Sequence, residues 1–227
     1  MSAAMSIRHP KRALYEQFAK VAKALGNPQR LELIEHLAQG GRSVDALAVK
    51  LGLPIANVSQ HLQAMRRAGL VTPERAGKFV NYRLTDESVL IAFAGVRKVA
   101  ERHSAEVALI VREWFSRRDD MDPVSREELL ARMDRSLVTI IDVRPADEFR
   151  IGHLPGAINV PLPELHSKLA SLDPGREIVA YCRGPWCVMS FEAVAELRKR
   201  GFNAYRLEDG LPEWRAAGLA IELAPAE

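Results

Sequence analysis

Residues 177–190 read Glu177-Ile178-Val179-Ala180-Tyr181-Cys182-Arg183-Gly184-Pro185-Trp186-Cys187-Val188-Met189-Ser190, and they include both cysteines of the 227-residue chain. The residues before Cys182 predict a buried strand, and those over 188–200 have helical spacing. A cysteine between a strand and a helix lies where main-chain N–H groups converge and where the helix dipole favours a thiolate. A buried core cysteine is the alternative, but this position favours a reactive Cys182.

The composition of the chain is that of a globular protein, with 48% apolar and 27% charged residues. No apolar run approaches the roughly 20 residues that cross a bilayer, and residues 1–10 lack the apolar core of a signal peptide. We therefore expect a cytoplasmic protein with no membrane partner, in a reducing compartment where structural disulfides are rare. The cysteine-containing stretch offers no further zinc ligands, so we predict neither a metal nor a cofactor.

The formal net charge of +3 conceals an asymmetry between the two halves of the chain. Residues 1–118 carry 19 Lys and Arg against 10 Asp and Glu, a net charge of +9, whereas the remainder carries 13 against 19, a net charge of −6. A basic half favours nucleic-acid binding, although a solvated charged surface gives the same count. The sign changes at a polar segment, so we predict a domain at 1–118, a linker at 119–123 and a domain at 124–227.

The first domain is predicted to be mainly α-helical, with two strands inserted before its last helix. Asn27 and Ser43 are typical helix caps, and Gly52 and Gly69 are typical helix ends. The predicted elements are helices at 14–25, 28–39, 44–51, 55–68 and 86–117, and strands at 70–75 and 79–84. Two short helices joined by a tight turn, followed by a hairpin, indicate a winged helix-turn-helix.

Polar side chains on the second short helix and at the hairpin tip are the candidate DNA contacts. Asn and Gln pair with adenine edges, Ser and His reach the groove or a phosphate, and Arg and Lys suit phosphates. Solvation of a polar helix face is the alternative, but the agreement of the whole module favours contact with DNA. The predicted contacts are Asn57, Ser59, Gln60, His61, Gln63, Arg66, Arg67, Arg75 and Lys78.

Residues 18–84 resemble the ArsR-type family of bacterial winged-helix repressors. The resemblance is carried by Ala24-Leu-Gly-Asn-Pro-Gln-Arg-Leu31 and by Val58-Ser-Gln-His-Leu-Gln-Ala-Met-Arg-Arg-Ala-Gly-Leu-Val71. It implies a homodimer, with its terminal helices packed together, that binds palindromic operator DNA. An effector is expected to release the dimer from the DNA. The apolar stripe from Leu90 to Trp114 suits such a dimer.

Many members of that family sense metals through cysteines on the first helix of the motif, and others through His and carboxylate groups on the terminal helix. Here residues 43–50 include no cysteine. His103 and Glu106 lie three apart, on one face of the predicted helix, but no second His follows on that helix. We therefore predict no metal site in the first domain and expect the sensor to lie elsewhere.

The second domain is predicted to be an α/β domain with a parallel sheet. The expected strands are 138–142, 157–160, 178–181 and 204–207, and the expected helices are 125–133, 163–172, 188–200 and 211–217. Strands that alternate with helices indicate a parallel sheet, which binds ligands at the carboxyl ends of its strands. Cys182 lies at such an end.

This half resembles the rhodanese family of sulfurtransferases over nearly all of residues 124–222. The motifs that carry the resemblance are Asp142-Val-Arg144, Glu148-Phe-Arg-Ile-Gly-His-Leu-Pro-Gly-Ala157, Tyr181-Cys-Arg-Gly184 and Gly210-Leu-Pro-Glu-Trp214. It implies that the Cys182 thiolate accepts a sulfane sulfur, holds it as a persulfide and passes it to a nucleophilic acceptor. The loop N–H groups, the helix end and Arg183 are expected to stabilise that anion.

Several residues near Cys182 are expected to support it. Asp142, Arg144 and Glu148 are predicted to form a structural ion-pair network rather than to take part in catalysis. Trp186 either shields the sulfur or packs. The candidate site residues are Cys182, Arg183 and Cys187, with Asp142, Arg144, Gly184 and Trp186 in support.

Cys187 adds a second chemical possibility. Its thiol would attack a persulfide or sulfenic acid on Cys182 and leave a disulfide between the two. The alternative is an ordinary residue in the first turn of the helix.

Phosphatase or arsenate chemistry on a related scaffold needs an arginine six positions after the nucleophile, and that position is Val188.

The sequence therefore predicts a homodimeric, DNA-binding regulator fused to a sulfur-handling sensor with a small sulfur donor or acceptor. A second hypothesis is a sulfurtransferase enzyme that the DNA-binding half localises or regulates. A third is a repressor whose second domain is catalytically idle and binds a partner.

Overall fold

The computed structural model describes residues 9–77, 79–117, 123–135 and 137–224. The chain forms two compact units, residues 1–93 and 94–227. The predicted linker at 119–123 lies almost wholly outside the described residues, so the domain at 1–118 stays a prediction. Residues 94–117 belong to the same compact unit as the α/β portion of the chain.

The first unit is a helical domain with a small antiparallel sheet. Its elements are α1 (Pro10–Leu25), α2 (Pro28–Ala38), β1 (Arg42–Ser43), α3 (Val44–Leu51), α4 (Ile55–Arg67), β2 (Val71–Ala76), β3 (Phe79–Leu84) and the start of α5 (Ser88–His103). The sheet has the strand order β1-β3-β2, with both pairs antiparallel. The winged helix-turn-helix arrangement is confirmed, and β1 is a strand of two residues that the sequence did not predict.

Side-chain caps set the helix boundaries in this unit. The Asn27 carboxamide oxygen accepts a hydrogen bond from the Arg30 N–H at 3.1 Å, and Ser43 Oγ accepts one from the Ala46 N–H at 3.2 Å. Gly52 ends α3 with a left-handed φ of +64°, which glycine adopts without steric cost. The sequence located these caps because each depends on residue type within one helical turn.

The prediction of one helix over 86–117 is wrong. The chain breaks at Ser104, which is extended and accepts a hydrogen bond from the Val107 N–H, so that α5 ends at His103. A new helix, α6 (Ala105–Ile110), follows and continues into a π-helical turn at Val111–Phe115. The serine hydroxyl competes with the main chain for that N–H group and therefore caps a new helix instead of continuing the old one.

The α/β portion of the second unit confirms the predicted parallel sheet. Its elements are α7 (Arg126–Asp134), β4 (Val138–Asp142), α8 (Ala146–Ile151), β5 (Ile158–Asn159), α9 (Leu165–Lys168) between 3-10 turns at Leu162–Glu164 and Leu169–Ser171, β6 (Glu177–Tyr181), α10 (Val188–Lys199), β7 (Ala204–Arg206) and α11 (Leu211–Ala216). The strand order is β5-β4-β6-β7, and every pair is parallel. The carboxyl ends of β4 and β6 therefore meet at one edge of the sheet.

Apolar residues cover both faces of this sheet. Ile178 and Ala180 of β6 face one core cluster, whereas Val179 and Tyr181 face the other, as the alternation of a strand requires. Trp214, expected in the core, is 1% exposed and its indole N–H donates to the Ala220 carbonyl at 2.8 Å. Among the residues described, no helix has both the length and the apolar content to cross a membrane.

Candidate functional site

The cysteine loop, residues 182–187, joins β6 to α10 at the carboxyl edge of the sheet. Cys182 directly follows β6 and is 1% exposed, and Cys187 is the N-cap residue of α10. The two sulfur atoms form a disulfide across a sequence separation of five, with 6.1 Å between the Cα atoms. Since that distance between the Cα atoms lies in the ordinary range for disulfides, the loop holds both cysteines at bonding distance.

The segment between β7 and α11 fixes the main chain of the cysteine loop. The Leu211 N–H donates to the Cys182 carbonyl at 3.3 Å. A β-carbon at Gly210 would lie 2.4 Å from the main-chain nitrogen of Gly184, which is closer than real contacts allow. Only glycine fits at position 210, and the close approach there makes the loop conformation depend on this second segment.

Arg183 is paired with a buried carboxylate. Its guanidinium donates two hydrogen bonds to Glu148 at 2.8 and 2.9 Å, and Glu148 is fully buried at the start of α8. A planar guanidinium suits this two-point contact. The pair neutralises a buried negative charge and ties the cysteine loop to α8.

Asp142 and Arg144 form a second buried ion pair at the end of β4, and both are 0% exposed. Asp142 also accepts a hydrogen bond from the Tyr181 hydroxyl at 2.5 Å, and that hydroxyl accepts one from the Leu154 N–H at 3.0 Å. Burial raises the pKa of Tyr181 well above its ordinary value, and the charge of Asp142 raises it further. The pKa of Arg144 is raised as well, because hydrogen bonds and the charge of Asp142 outweigh the opposing effect of burial.

The outer face of the cysteine loop contacts the helical segment 94–117. The Trp186 indole N–H donates to Glu101 Oε1 at 2.6 Å. The Trp186 ring meets the edge of Phe115 at 5.1 Å between centroids, and Phe115 meets Phe191 of α10 at 4.9 Å. Of the two roles expected for Trp186, packing is therefore observed.

Helix α4 has a buried apolar face and an exposed polar face. Val58, Leu62 and Met65 are fully buried at helical spacing. The predicted DNA contacts on this helix occupy the remaining surface: Asn57, Gln60, Gln63, Arg66 and Arg67 are exposed, and Ser59 and His61 are half-buried. Arg75 is exposed on β2 at the hairpin, and Lys78 lies outside the described residues.

Comparison with known proteins agrees with this architecture. Residues 25–74 match a helix-turn-helix domain family, and residues 125–217 match the rhodanese-like domain family. Over 212 residues the chain is 44% identical to the HTH-type transcriptional regulator Rv0324 of Mycobacterium tuberculosis, a match that covers 93% of each protein. The chain belongs to the ArsR-type helix-turn-helix transcriptional regulators. It carries a C-terminal rhodanese-like domain.

Two solved structures are similar to parts of this regulator. The homodimeric winged helix-turn-helix DNA-binding domain of a possible ArsR-family regulator from Mycobacterium bovis is 41% identical; the match covers 46% of this chain and 95% of that one, with a TM-score of 0.41. A rhodanese-related protein from Thermoplasma volcanium is 25% identical; the match covers 45% of this chain and 99% of that one, with a TM-score of 0.41.

One expectation about the regulator's terminal helix is not met. His103 and Glu106 were expected on one face of a single helix, but the break at Ser104 places them on different helices. The Glu106 carboxylate instead accepts a hydrogen bond from the Ser104 hydroxyl at 3.0 Å, which lowers the Glu106 pKa together with a main-chain hydrogen bond. The described residues include no group of three or more His, Cys, Asp or Glu side chains that is placed to hold a metal ion.

Sequence reasoning missed the regulator's residues that contact the cysteine loop from elsewhere in the chain. Arg97 Nη1 contacts Glu213 Oε1 at 3.0 Å across 116 positions, and Glu101 contacts Trp186 across 85. The helical pattern that includes Phe115 gives no sign of its contact with Trp186. The motif Gly210-Leu-Pro-Glu-Trp214 is the one sequence signal that points to the segment against the loop.

Proposed function

We propose that this regulator senses sulfane sulfur through Cys182 and that the resulting change in the cysteine loop alters its affinity for operator DNA. The observation that carries the proposal is the cysteine loop itself. Both thiols of a DNA-binding regulator lie there at bonding distance, at the carboxyl edge of a rhodanese-like sheet. The helix-turn-helix domain and the similarity to an HTH-type regulator support the DNA-binding half of the proposal.

The proposed chemistry needs a persulfide donor, RSSH, and it balances without another oxidant. The Cys182 thiolate attacks the outer sulfur of RSSH, forms Cys182–S–SH and expels the thiolate RS⁻. The Cys187 thiolate then attacks the inner sulfur of Cys182, forms the Cys182–Cys187 disulfide and expels HS⁻. The two cysteine thiols are oxidised, and the sulfane sulfur of the donor is reduced to hydrosulfide.

The environment of the cysteine loop favours this sequence of steps. The loop precedes the N-terminus of α10, a helix of 12 residues whose dipole stabilises negative charge on a nearby sulfur. The buried position of Cys182 keeps bulk water from the persulfide. The Cys182–Cys187 disulfide of the structure is the same bond that the second step would form.

We further propose that the regulator acts as a homodimer through its terminal helices. Leu14, Tyr15 and Phe18 on α1 are 56–60% exposed, and Ile91 on α5 is 65% exposed. Exposed apolar residues grouped on helices are typical of surfaces that a partner covers. The exposed polar face of α4 would then enter the major groove of each half of a palindromic operator.

The test compares DNA affinity with the chemical state of the loop. A binding site is selected by the full-length protein from a random DNA pool, and its affinity is measured for the reduced protein and after treatment with glutathione persulfide. We expect about a tenfold change in affinity, a typical allosteric coupling, for the wild type and none for Cys182→Ser. Intact mass should show loss of two hydrogens in the wild type and one added sulfur in Cys187→Ser.

Equal affinities of the treated and untreated wild type, at full conversion by mass, would remove the sensing proposal. The rhodanese-like domain then supports a second candidate, a sulfurtransferase, because Cys182 occupies the end of β6 in that fold. Thiocyanate formation from thiosulfate and cyanide tests it. Turnover that persists in Cys187→Ser and disappears in Cys182→Ser would favour the enzyme.

A further inference from the structure

The cysteine loop is attached to helix α5 by two polar contacts one helical turn apart. Glu101 accepts the Trp186 indole N–H at 2.6 Å, and Arg97 pairs with Glu213 at 3.0 Å. Arg97 and Glu101 also lie 3.7 Å apart, so the four side chains form one chain of contacts. The side chains of Arg97, Glu101 and Glu213 are only 21–31% exposed, which limits screening by solvent.

The two contact residues on the α/β side, Trp186 and Glu213, lie within the cysteine loop or beside it. Trp186 lies within the loop and precedes Cys187. The Glu213 carboxylate also accepts the Gly210 N–H at 3.1 Å, and Gly210 is the residue whose α-carbon abuts the loop main chain. A shift of the loop therefore disturbs both ends of the chain of contacts.

Aromatic packing holds the same loop between two supports. Phe115 lies edge-on to Trp186 from one side. Arg206 donates to the Pro185 carbonyl at 3.2 Å and stacks over Phe191 with 4.2 Å between guanidinium carbon and ring centroid. These contacts tie two residues of the loop, Pro185 and Trp186, to elements outside it.

A change at the sulfur atoms must move this loop. The disulfide closes a ring that includes Trp186, and reduction opens it. A persulfide adds one sulfur atom beside Cys182, which is 1% exposed and surrounded by close-packed atoms. A shift of the loop main chain would carry Trp186 with it, because Trp186 lies between the two cysteines.

Helix α5 includes residues of both compact units. It is one continuous helix over Ser88–His103, about 24 Å long at 1.5 Å per residue. Val89 is buried in the core of the first unit, and Leu90 and Phe93 pack against that core. Arg97 and Glu101 follow on the same helix, one and two turns later.

We propose that Arg97, Glu101, Trp186 and Glu213 form a latch that reports the sulfur state of the cysteine loop to helix α5. With the loop in its disulfide state the latch is closed, and reduction of the disulfide or a persulfide on Cys182 loosens it. These are positioning residues, since the chemistry occurs at the two sulfur atoms. The latch rests on the proposed sensing function and names the route by which the signal leaves the site.

The decisive variant is Trp186→Phe, which keeps an aromatic ring against Phe115 and removes the indole N–H. Glu101→Ala removes the other partner, and the double variant completes a cycle. Glu106→Gln is the matched control, because Glu106 is an exposed carboxylate one helix later that makes its hydrogen bond to Ser104. All are made in the full-length chain.

Two readouts are measured on the reduced protein and after treatment with glutathione persulfide. The first is hydrogen exchange of peptides within residues 94–117, followed by mass spectrometry. The second is affinity for the selected DNA. We expect the wild type to exchange more slowly over 94–117 in its disulfide state, and the ratio of DNA affinities between the two states to fall from about ten to within about twofold in Trp186→Phe.

Intact mass must show that Trp186→Phe still forms the disulfide, which separates the latch from the chemistry. Glu101→Ala should reduce the ratio of DNA affinities as Trp186→Phe does, and the double variant should reduce it no further. Glu106→Gln should keep the wild-type ratio. A wild-type affinity ratio in both latch variants, with exchange over 94–117 insensitive to the sulfur state, would overturn the latch and leave sensing intact. State-dependent exchange in the wild type that Trp186→Phe abolishes, with DNA affinity constant, supports the latch and overturns the proposed sensing function.

Discussion

Helix α4 and the cysteine loop use polar residues in opposite ways. On α4 the polar side chains are exposed or half-buried, and only the apolar Val58, Leu62 and Met65 are buried. Around the cysteine loop, Asp142, Arg144 and Glu148 are buried and have ionic partners. Asp142 pairs with Arg144, and Glu148 pairs with the half-buried Arg183. One region leaves its polar groups exposed on the surface, whereas the other uses them to hold its own shape.

The difference has an energetic consequence. An exposed side chain on α4 can be removed at little cost to folding, because water solvates it in both the folded and the unfolded state. A buried charge near the cysteine loop cannot lose its partner without a large penalty. Substitutions in the two regions should therefore separate cleanly into effects on DNA binding and effects on stability.

The largest effect is expected for Asp142→Ala, which leaves Arg144 buried without its carboxylate and deprives Tyr181 of its acceptor. We expect a loss of about 3–5 kcal/mol in the free energy of unfolding of the second unit. Urea denaturation followed by tryptophan fluorescence measures it, because Trp114, Trp186 and Trp214 all lie in residues 94–227. Glu164→Ala, which breaks an exposed ion pair with Lys168, is the control and should cost no more than about 0.5 kcal/mol.

Similar losses in the two variants would mean that burial does not raise the cost of breaking an ion pair. They would also contradict the assignment of Asp142 to a structural network.

The next effect is expected for Gly210→Ala, whose β-carbon would lie 2.4 Å from the loop main chain. Relief of that overlap should lower the free energy of unfolding by about 1–3 kcal/mol. It should also slow alkylation of the reduced cysteines. Gly95→Ala is the matched control, since a β-carbon at Gly95 meets nothing within 4 Å on helix α5. Gly95→Ala should instead raise the free energy of unfolding by about 1 kcal/mol, because alanine has the higher helix propensity. Equal and small shifts in both would rule out the close approach at position 210.

On α4 the expected changes are in binding. Gln60→Ala should weaken binding to the selected DNA by about 1–3 kcal/mol and relax the preference at one base position. Arg66→Ala should weaken binding to all sequences alike and make the salt dependence shallower by about one unit of slope. Fluorescence anisotropy at several salt concentrations measures both effects, and the unfolding free energies should not change.

Arg150→Ala is the control for charge, because Arg150 is an exposed cation on α8 in the rhodanese-like domain. It should leave affinity and salt slope unchanged. A reduced slope in Arg150→Ala would show that the basic surface in contact with DNA extends beyond the first unit.

The smallest effect is expected at Ser104, the break between α5 and α6. Ser104→Ala removes the hydroxyl that accepts the Val107 N–H and should cost no more than about 1 kcal/mol, because alanine favours helix and recovers part of the loss. Ser104→Gly should cost less, about a few tenths of a kcal/mol, because glycine is tolerated at an N-cap, and Ser104→Thr should retain the cap. Tryptophan fluorescence measures stability, and circular dichroism at 222 nm shows whether the helix becomes continuous in the alanine variant. An equal cost for alanine and glycine would argue against this explanation of the break.

Much of the fold followed from local residue patterns. Asn27, Ser43 and Gly52 marked helix ends, since capping and left-handed turns depend on one residue and its near neighbours. The break at Ser104 was missed because the apolar spacing of Val107, Ile110 and Trp114 continues that of the preceding helix. A serine can be accommodated inside a helix as well as at its start, so the pattern alone did not decide between them.

The candidate site followed from the sequence only in part. Both cysteines and the polar face of α4 are visible in single segments of the sequence. The ion pair of Glu148 with Arg183 spans 35 positions, and the sequence did not predict this partner for Glu148. Pairing among several buried charges of both signs depends on which side chains the folded sheet brings within reach.

The sequence by itself determined that a winged helix-turn-helix precedes a parallel α/β domain with two thiols in one loop, because helical and strand periodicities and glycine or serine boundaries are local properties. The tertiary structure alone decided that Arg97 and Glu101 of the terminal helix meet Glu213 and Trp186 beside that loop. Such contacts join residues 116 and 85 positions apart, and no local pattern encodes them, since only the packing of the folded chain sets which distant side chains become neighbours.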